Sequence, residues 1–149
     1  NDITIIAQDS LIGTFDNILG ALTWALGGIA AISLIVAGIL IMNVMLVAVS
    51  QRKAEIGLLK ALGAPTSQVL RLFLTEATLL ASAGGALGLV LGLGGVLVLN
   101  QAVPDFSAQP PLWALIASVL ITFFTGLLFG SIPARQAARL DPVAALSGR

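Results

Sequence analysis

The sequence contains no cysteine, no histidine and no tyrosine. Without cysteine there is no disulfide and no thiolate nucleophile, and without histidine there is no imidazole base and no typical zinc or haem ligand. Charged residues are also scarce, at 9% of the chain, against about 25% in soluble domains. Lysines and arginines equal the acids at seven each, so no basic field for nucleic acid exists. We therefore expect no catalytic site, no metal, no bound cofactor and no nucleic-acid partner.

Long apolar runs take the place of those residue types, and 58% of the chain is hydrophobic. No charge occurs between Asp16 and Arg52, between Glu76 and Asp105, or between Asp105 and Arg135. A helix rises about 1.5 Å per residue, so about 20 apolar residues cross the hydrocarbon core. The fold class predicted is all-α integral membrane, with spans at about 22–48, 77–100 and 112–131.

The charges are divided between the two sides of these spans. All seven cations lie in the segment between the first two spans or after the third, whereas three acids precede the first span and Asp105 lies in the short loop 101–111. Positive residues close to a span remain on the cytoplasmic side. The pattern predicts an external N-terminal segment, an external loop at 101–111 and a cytoplasmic C-terminus.

The first twenty residues differ from the rest of the chain. Leu11–Leu19 is predicted to form an amphipathic lead-in helix outside the membrane, and Ile3–Ile6 is predicted weakly as a strand. The chain starts at Asn1 and shows no signal peptide. We expect residues 1–20 to be the end of an external domain and its stalk helix, within a longer polypeptide.

The cytoplasmic connector between the first two spans is predicted to carry a helix at about 51–63. Gly63 suits the position after a helix, and Pro65 prevents its continuation. Lys53 and Lys60 share one face of this helix, and Leu58 and neighbouring apolar residues another. Such a helix can lie on the bilayer or dock into a groove on a partner. It can also be a solvated connector whose cations only fix the topology.

Small residues recur every four positions in the second span, at Gly84, Gly88 and Gly92, with Ala77 and Ala81 extending the stripe. Small residues at this spacing let helix backbones approach closely in lipid. The stripe predicts close packing against either a neighbouring span or another subunit. The P-loop pattern Gly-x4-Gly-Lys-Ser/Thr is absent, so these glycines do not form a nucleotide site.

Polar residues beside the spans allow several interpretations. Glu76 begins the second span, where it can pair with nearby cations, and an ion or proton role is the alternative. After the third span, Pro133 is predicted to start a short helix bearing Arg135 and Arg139, within a cytoplasmic tail at 132–149. These arginines could hold anionic headgroups or contact a partner. Asp141 and Pro142 are predicted as the cap and first residue of another helix.

The segments together resemble the C-terminal membrane part of the FtsX-like permeases, the MacB-type or type VII mechanotransmission group of ABC transporters. The resemblance covers roughly residues 20–149, with the glycine-rich span in the expected place. The chain departs from the family at Ser50-Gln51, where Thr-Glu is common, and at Pro65–Ser67, where basic residues are common. The matching residues are Met42–Ser50, Arg52-x-x-Glu55-Ile56-Gly57-x-x-Lys60-Ala61-Leu62-Gly63-Ala64, and Pro133-Ala134-Arg135-x-Ala137-Ala138-Arg139-Leu140-Asp141-Pro142-Val143-x-Ala145-Leu146.

This resemblance implies a permease of the bacterial inner membrane that works as a homo- or heterodimer with ABC ATPase subunits or domains. ATP and Mg would bind to the ATPase. Closure of the ATPases would move the connector helix, and this movement would do work on the external side. The output would be efflux or the export of a lipoprotein, lipid or peptide, with an external partner protein. The coupling residues implied are Arg52, Glu55, Ile56, Gly57, Lys60, Gly63 and Ala64.

Three other functions are alternatives to this one. An FtsX-like regulator that activates an external cell-wall hydrolase would keep the ATPase and change the output. An intramembrane acid catalyst centred on Glu76 would need a second carboxylate or a nucleophile at membrane depth, and the spans offer none. A self-associating bundle of spans without an engine is the remaining possibility.

Overall fold

The computed structural model describes residues 2–103 and 108–146, and their regular structure is entirely helical. This confirms the all-α prediction. The chain divides into two compact units, the first ending at Ala37 and the second starting at Gly38. The helices are α1 (Asp2–Gln51), α2 (Lys53–Ala61), α3 (Thr66–Ala102), α4 (Leu112–Ala138) and α5 (Pro142–Leu146).

The first unit consists of the N-terminal part of α1. The strand predicted over Ile3–Ile6 is wrong, because α1 already begins at Asp2. No proline or glycine lies between Ile6 and Leu11, and the helix continues through Asp9 and Ser10. Between Leu11 and Ala37 almost every side chain is exposed, as expected of a helix whose surroundings are lipid or other chains.

Three described stretches are long and apolar enough to cross a membrane: Leu11–Gln51, Thr66–Ala102 and Leu112–Ala138. This confirms the predicted number of membrane-spanning helices. Each helix is longer than its predicted span, and α3 has 37 residues where about 20 cross the hydrocarbon. Apolarity marks only the lipid-buried part of a helix, whereas the backbone continues until a residue stops it.

The second unit has one buried core, located where α1 ends, α2 lies, α3 begins and α4 ends. We call this the connector end. Phe73 and Met45 are the largest side chains buried there. Burial of such groups contributes about 1.5–3 kcal/mol each where water is excluded. The buried members of the core are Met45 and Val49 from α1, Ile56 from α2, Val69, Phe73 and Ala77 from α3, and Ala134 and Ala137 from α4.

Helices α3 and α4 pack closely through a seam of small residues. A methyl group added to Gly126 would lie 2.6 Å from the Cβ of Ala81, and one added to Gly85 would lie 2.6 Å from the Cγ2 of Thr122. A methyl added to Gly130 would collide with Ala77. The contacts advance four residues along α3 and retreat four along α4, so the helices are antiparallel and in direct backbone proximity.

The predicted stripe lies beside this seam and not in it. No atom of another element comes within 4 Å of a methyl added to Gly84, Gly88 or Gly92. The seam uses Ala77 and Ala81, as predicted, and then continues to Gly85. Gly88 and Gly92 instead line a cleft of about 440 Å³ between α3 and α4. Their packing against another subunit stays a prediction.

The tail after the third span differs from the prediction. Helix α4 continues through Pro133 to Ala138, so the short separate helix predicted to start at Pro133 is wrong. An interior proline removes one backbone hydrogen bond and costs about 3 kcal/mol or more. Burial of Pro133, Ala134 and Ala137 at the connector end supplies the compensating contacts that a tail in water would lack.

A local signal at the start of α5 is confirmed. The Val143 amide donates to Asp141 Oδ1 at 3.0 Å, which is the N-cap bond predicted for α5. Near the end of α3, the Asn100 side chain makes two hydrogen bonds that were not predicted. Its Nδ2 donates to the Ala108 carbonyl at 2.9 Å, and the Ala108 amide donates to Asn100 Oδ1 at 3.0 Å.

Candidate functional site

The connector helix α2 starts at a one-residue interruption. Arg52 has φ −101° and ψ 16°, outside the helical values of its neighbours. Hydrogen bonds continue on both sides, since the Arg52 amide donates to Ala48 and the Ile56 amide to Arg52, at 3.1 and 3.0 Å. The chain therefore leaves α1 and enters α2 without a loop, with a single non-helical residue between the two helices.

Helix α2 ends in a Schellman motif. Gly63 has φ +95°, a left-handed conformation that glycine adopts without a steric penalty. The Gly63 amide donates to Lys60 O and the Ala64 amide to Leu59 O, both at 3.0 Å, which satisfies the last carbonyls of the helix. The predicted roles of Gly63 and Pro65 at this boundary are confirmed, and α3 begins directly after Pro65.

One face of α2 points into the connector end. Ile56 and Gly57 are buried, and Ile56 is 2% exposed within the core. Lys60 Nζ donates to the backbone carbonyls of Ala138 and Leu140 at 2.7 and 2.5 Å. These carbonyls lie where α4 ends, and a cation there is favoured by the negative end of the helix dipole. Lys60 therefore fixes α2 to the end of α4.

Arg52 and Glu76 form the one ion pair found among the described residues, with Nη1 and Oε2 3.5 Å apart. The pair joins the α1–α2 interruption to α3. The side chains are 50% and 42% exposed, and such a pair contributes about 0–1 kcal/mol. Glu76 thus has the cationic neighbour that the sequence suggested, and Arg52 is engaged within the chain.

The opposite face of α2 is uncovered. Glu55, Leu58 and Leu62 are exposed, and at 100° per residue they lie opposite Ile56, Gly57 and Lys60. The two leucines are 54% and 79% exposed. We call these three residues the outer face of α2. Leu58 within α2 and Leu62 at its C-terminal cap form an apolar ridge suited to a groove on a partner.

Arg135 and Arg139 are exposed near the end of α4. They line a cleft of about 410 Å³ with Thr66 and Ser67 from the first turn of α3. No acidic side chain is among the described residues lining it. In the described part of the chain, no three acidic side chains lie close enough together to hold a metal ion.

The predicted coupling residues therefore fall into three sets. Glu55 lies on the outer face. Arg52, Ile56, Gly57 and Lys60 contact the chain's own helices, and Gly63 and Ala64 shape the end of α2. A basic residue in the last turn of a helix is expected to bond to the carbonyls of that helix, and Lys60 has this position. The sequence gives no sign that Lys60 bonds instead to carbonyls at the end of α4.

Three helices long and apolar enough to span a membrane, with the short helix α2 packed at their connector end, define an integral membrane domain. The family model described as FtsX-like permease C-terminal matches residues 27–142. The chain belongs to the FtsX-like permease family.

Curated relatives agree with this assignment. The chain is 45% identical over 98% of its length to the macrolide export ATP-binding/permease protein MacB of Marinobacter nauticus. It is 43% identical over 98% of its length to that of Acinetobacter baylyi. It is also 49% identical over 86% of its length to the pyoverdine export ATP-binding/permease protein PvdT of Pseudomonas aeruginosa. The chain spans about a fifth of these relatives, 22%, 22% and 19% of their respective lengths.

Proposed function

We propose that this chain is the membrane part of an ABC-transporter permease, in which α2 receives work from a cytoplasmic ATPase. The observation that carries the proposal is the division of α2 into a buried face fixed to the spans and an outer face with two exposed leucines. The relatives are named as ATP-binding/permease proteins. ATP and Mg would accordingly bind in an ATPase domain or subunit outside these residues.

Movement imposed on the outer face would reach all three long helices. Ile56 shares the core with Met45 of α1, Phe73 of α3 and Ala134 of α4. Close-packed interiors transmit displacement because they contain few voids to absorb it. Helix α1 would carry the displacement toward the external side, where the useful output would be efflux or the export of a lipid, lipoprotein or peptide.

The remaining partners follow from this arrangement. We place the chain in the bacterial inner membrane as a multi-pass protein with a cytoplasmic C-terminus, paired with a second permease copy and, outside, with a partner protein. Arg135 and Arg139 would contact anionic headgroups or the ATPase. Relatives named as exporters favour export over activation of a cell-wall hydrolase.

The test replaces both leucines of the outer face, as Leu58→Asp with Leu62→Asp, in the full-length permease with its ATPase. Burying a leucine contributes about 1.5–3 kcal/mol, and each 1.4 kcal/mol is about tenfold in affinity. Association should therefore weaken by at least about tenfold. It is measured as the ATPase that co-purifies or, where the two are fused, as ATP hydrolysis in lipid nanodiscs.

Val143→Asp is the matched control, since Val143 is an exposed apolar residue at the start of α5 and an acid is tolerated near a helix N-terminus. This variant should keep the wild-type association. Gly57 is unsuitable as a docking test because it is buried and a larger side chain would disturb packing. Unchanged association in the double leucine variant would remove the docking role of α2.

A further inference from the structure

Helix α2 is attached at both ends, but the two attachments differ in strength. At its C-terminal end, half-buried Lys60 donates two hydrogen bonds to carbonyls at the end of α4. At its N-terminal end, the Arg52–Glu76 contact is single and 3.5 Å long, with both side chains about half exposed. An exposed ion pair shifts an equilibrium by about fivefold at most, whereas one charge-assisted hydrogen bond shifts it by about 10- to 150-fold.

The contacts between these ends are apolar. Val49 and Ile56 flank the interruption at Arg52 and belong to the same buried core. Apolar burial is non-directional, and packed helices can slide past one another by small shear movements. A small shear of this core would move the α1–α2 interruption while the helices stay packed, and the ion pair favours one position for it.

We propose that Arg52 and Glu76 are positioning residues that form a releasable latch, and that α2 tilts about its Lys60 end when the latch opens. The inference rests on the proposed function, because it assumes that an ATPase moves α2. The released end is the one from which α1 leaves, with a single non-helical residue between the helices. Opening the latch therefore transfers the tilt of α2 into α1, and closing it returns the α1–α2 interruption to its position beside Glu76 of α3.

A covalent cross-link that locks the latch tests the proposal. Because this chain contains no cysteine, a thiol reagent reacts within it only at the introduced cysteines. In the full-length permease–ATPase complex, with any cysteines elsewhere replaced, Arg52→Cys and Glu76→Cys are joined by a short bifunctional thiol reagent that dithiothreitol cleaves. We expect ATP-driven transport to fall by at least tenfold on locking and to return on cleavage. The single-cysteine variants treated with the same reagent should remain as active as before treatment.

Charge reversal gives an independent readout. Arg52→Glu and Glu76→Arg should each lower transport per ATP hydrolysed by about two- to fivefold, and the double reversal should restore it to within twofold of wild type. Arg71→Glu is the control, because Arg71 is exposed on α3 and has no ion pair among the described residues. It should leave the ratio unchanged.

Association of the ATPase separates the two proposals. If it survives the lock and the reversals while transport per ATP falls as expected, both stand. A locked complex that transports at the wild-type rate, or a double reversal no better than the worse single variant, overturns the latch while leaving docking intact. Docking of the ATPase is tested separately, by the association of the variant that carries Leu58→Asp and Leu62→Asp.

Discussion

Gly126→Val is expected to be among the most damaging substitutions in the membrane-spanning part of the chain. A methyl group at Gly126 would lie 2.6 Å from Ala81 Cβ and 3.3 Å from the backbone oxygen of Ala77. Backbone atoms cannot rotate away, so α3 and α4 must separate along the seam. Overpacking of this kind costs about 1–3 kcal/mol, and we expect the upper part of that range in the unfolding free energy of the full-length permease in detergent.

Gly95→Val is the matched control for this prediction, because Gly95 lies on α3 outside the predicted stripe of small residues. It makes the same chemical change within a helix, with the same gain in intrinsic propensity, but at a position with no atom of another element within 4 Å. We expect its unfolding free energy to stay within about 0.5 kcal/mol of wild type. Equal stability of the two variants would show that the α3–α4 seam is not where α3 and α4 approach most closely.

Lys60→Met is expected to detach α2 from the end of α4. Methionine keeps the apolar stem, but the carbonyls of Ala138 and Leu140 lose their shared donor. Hydrogen bonds from a charged group contribute about 1.5–3 kcal/mol, and partial exposure lets water replace some of this. We expect a loss of about 2 kcal/mol in the unfolding free energy, together with faster proteolysis of the segment after α4.

The control is Lys53→Met on the same helix. Lys53 is exposed, and its ammonium has no hydrogen bond or ion pair in the described part of the chain, so the substitution removes charge without removing a contact. Its stability and protease resistance should match wild type. If Lys60→Met is as stable as Lys53→Met, the Lys60 hydrogen bonds do not stabilise the attachment of α2 to α4. That result would contradict the proposal that α2 tilts about its Lys60 end.

The features predicted well from the sequence are those decided locally. The number of spans follows from the length of the apolar runs and the positions of the charged residues, because crossing a bilayer requires about 20 apolar residues and keeps charges outside it. Gly63 and Asp141 act on backbone groups within four residues of themselves, and both boundaries were predicted correctly. In each case the deciding interaction lies within a few residues, so the pattern carries it.

The features that the sequence did not settle depend on which faces of the different helices pack together. Gly84 and Gly85 follow Ala81 by three and four residues, both helical neighbour spacings, and only the position of α4 selects Gly85 for the seam. Pro133 is a sound stop signal in isolation, and burial against the connector end overrides it. Arg52 and Lys60 were predicted together as contacts for an ATPase, yet their partners, Glu76 and the end of α4, are distant in sequence.

The central claim is that the outer face of α2 lies in the cytoplasm, where an ATPase can bind it. The most direct measurement uses Lys53→Cys in the full-length permease with any other cysteines removed, since Lys53 is an exposed residue of α2 that lies outside the face the ATPase would cover. A membrane-impermeant maleimide should leave this cysteine unmodified in intact cells and modify it in inverted membrane vesicles. Ready modification from outside intact cells would place α2 on the wrong side and contradict the proposed function.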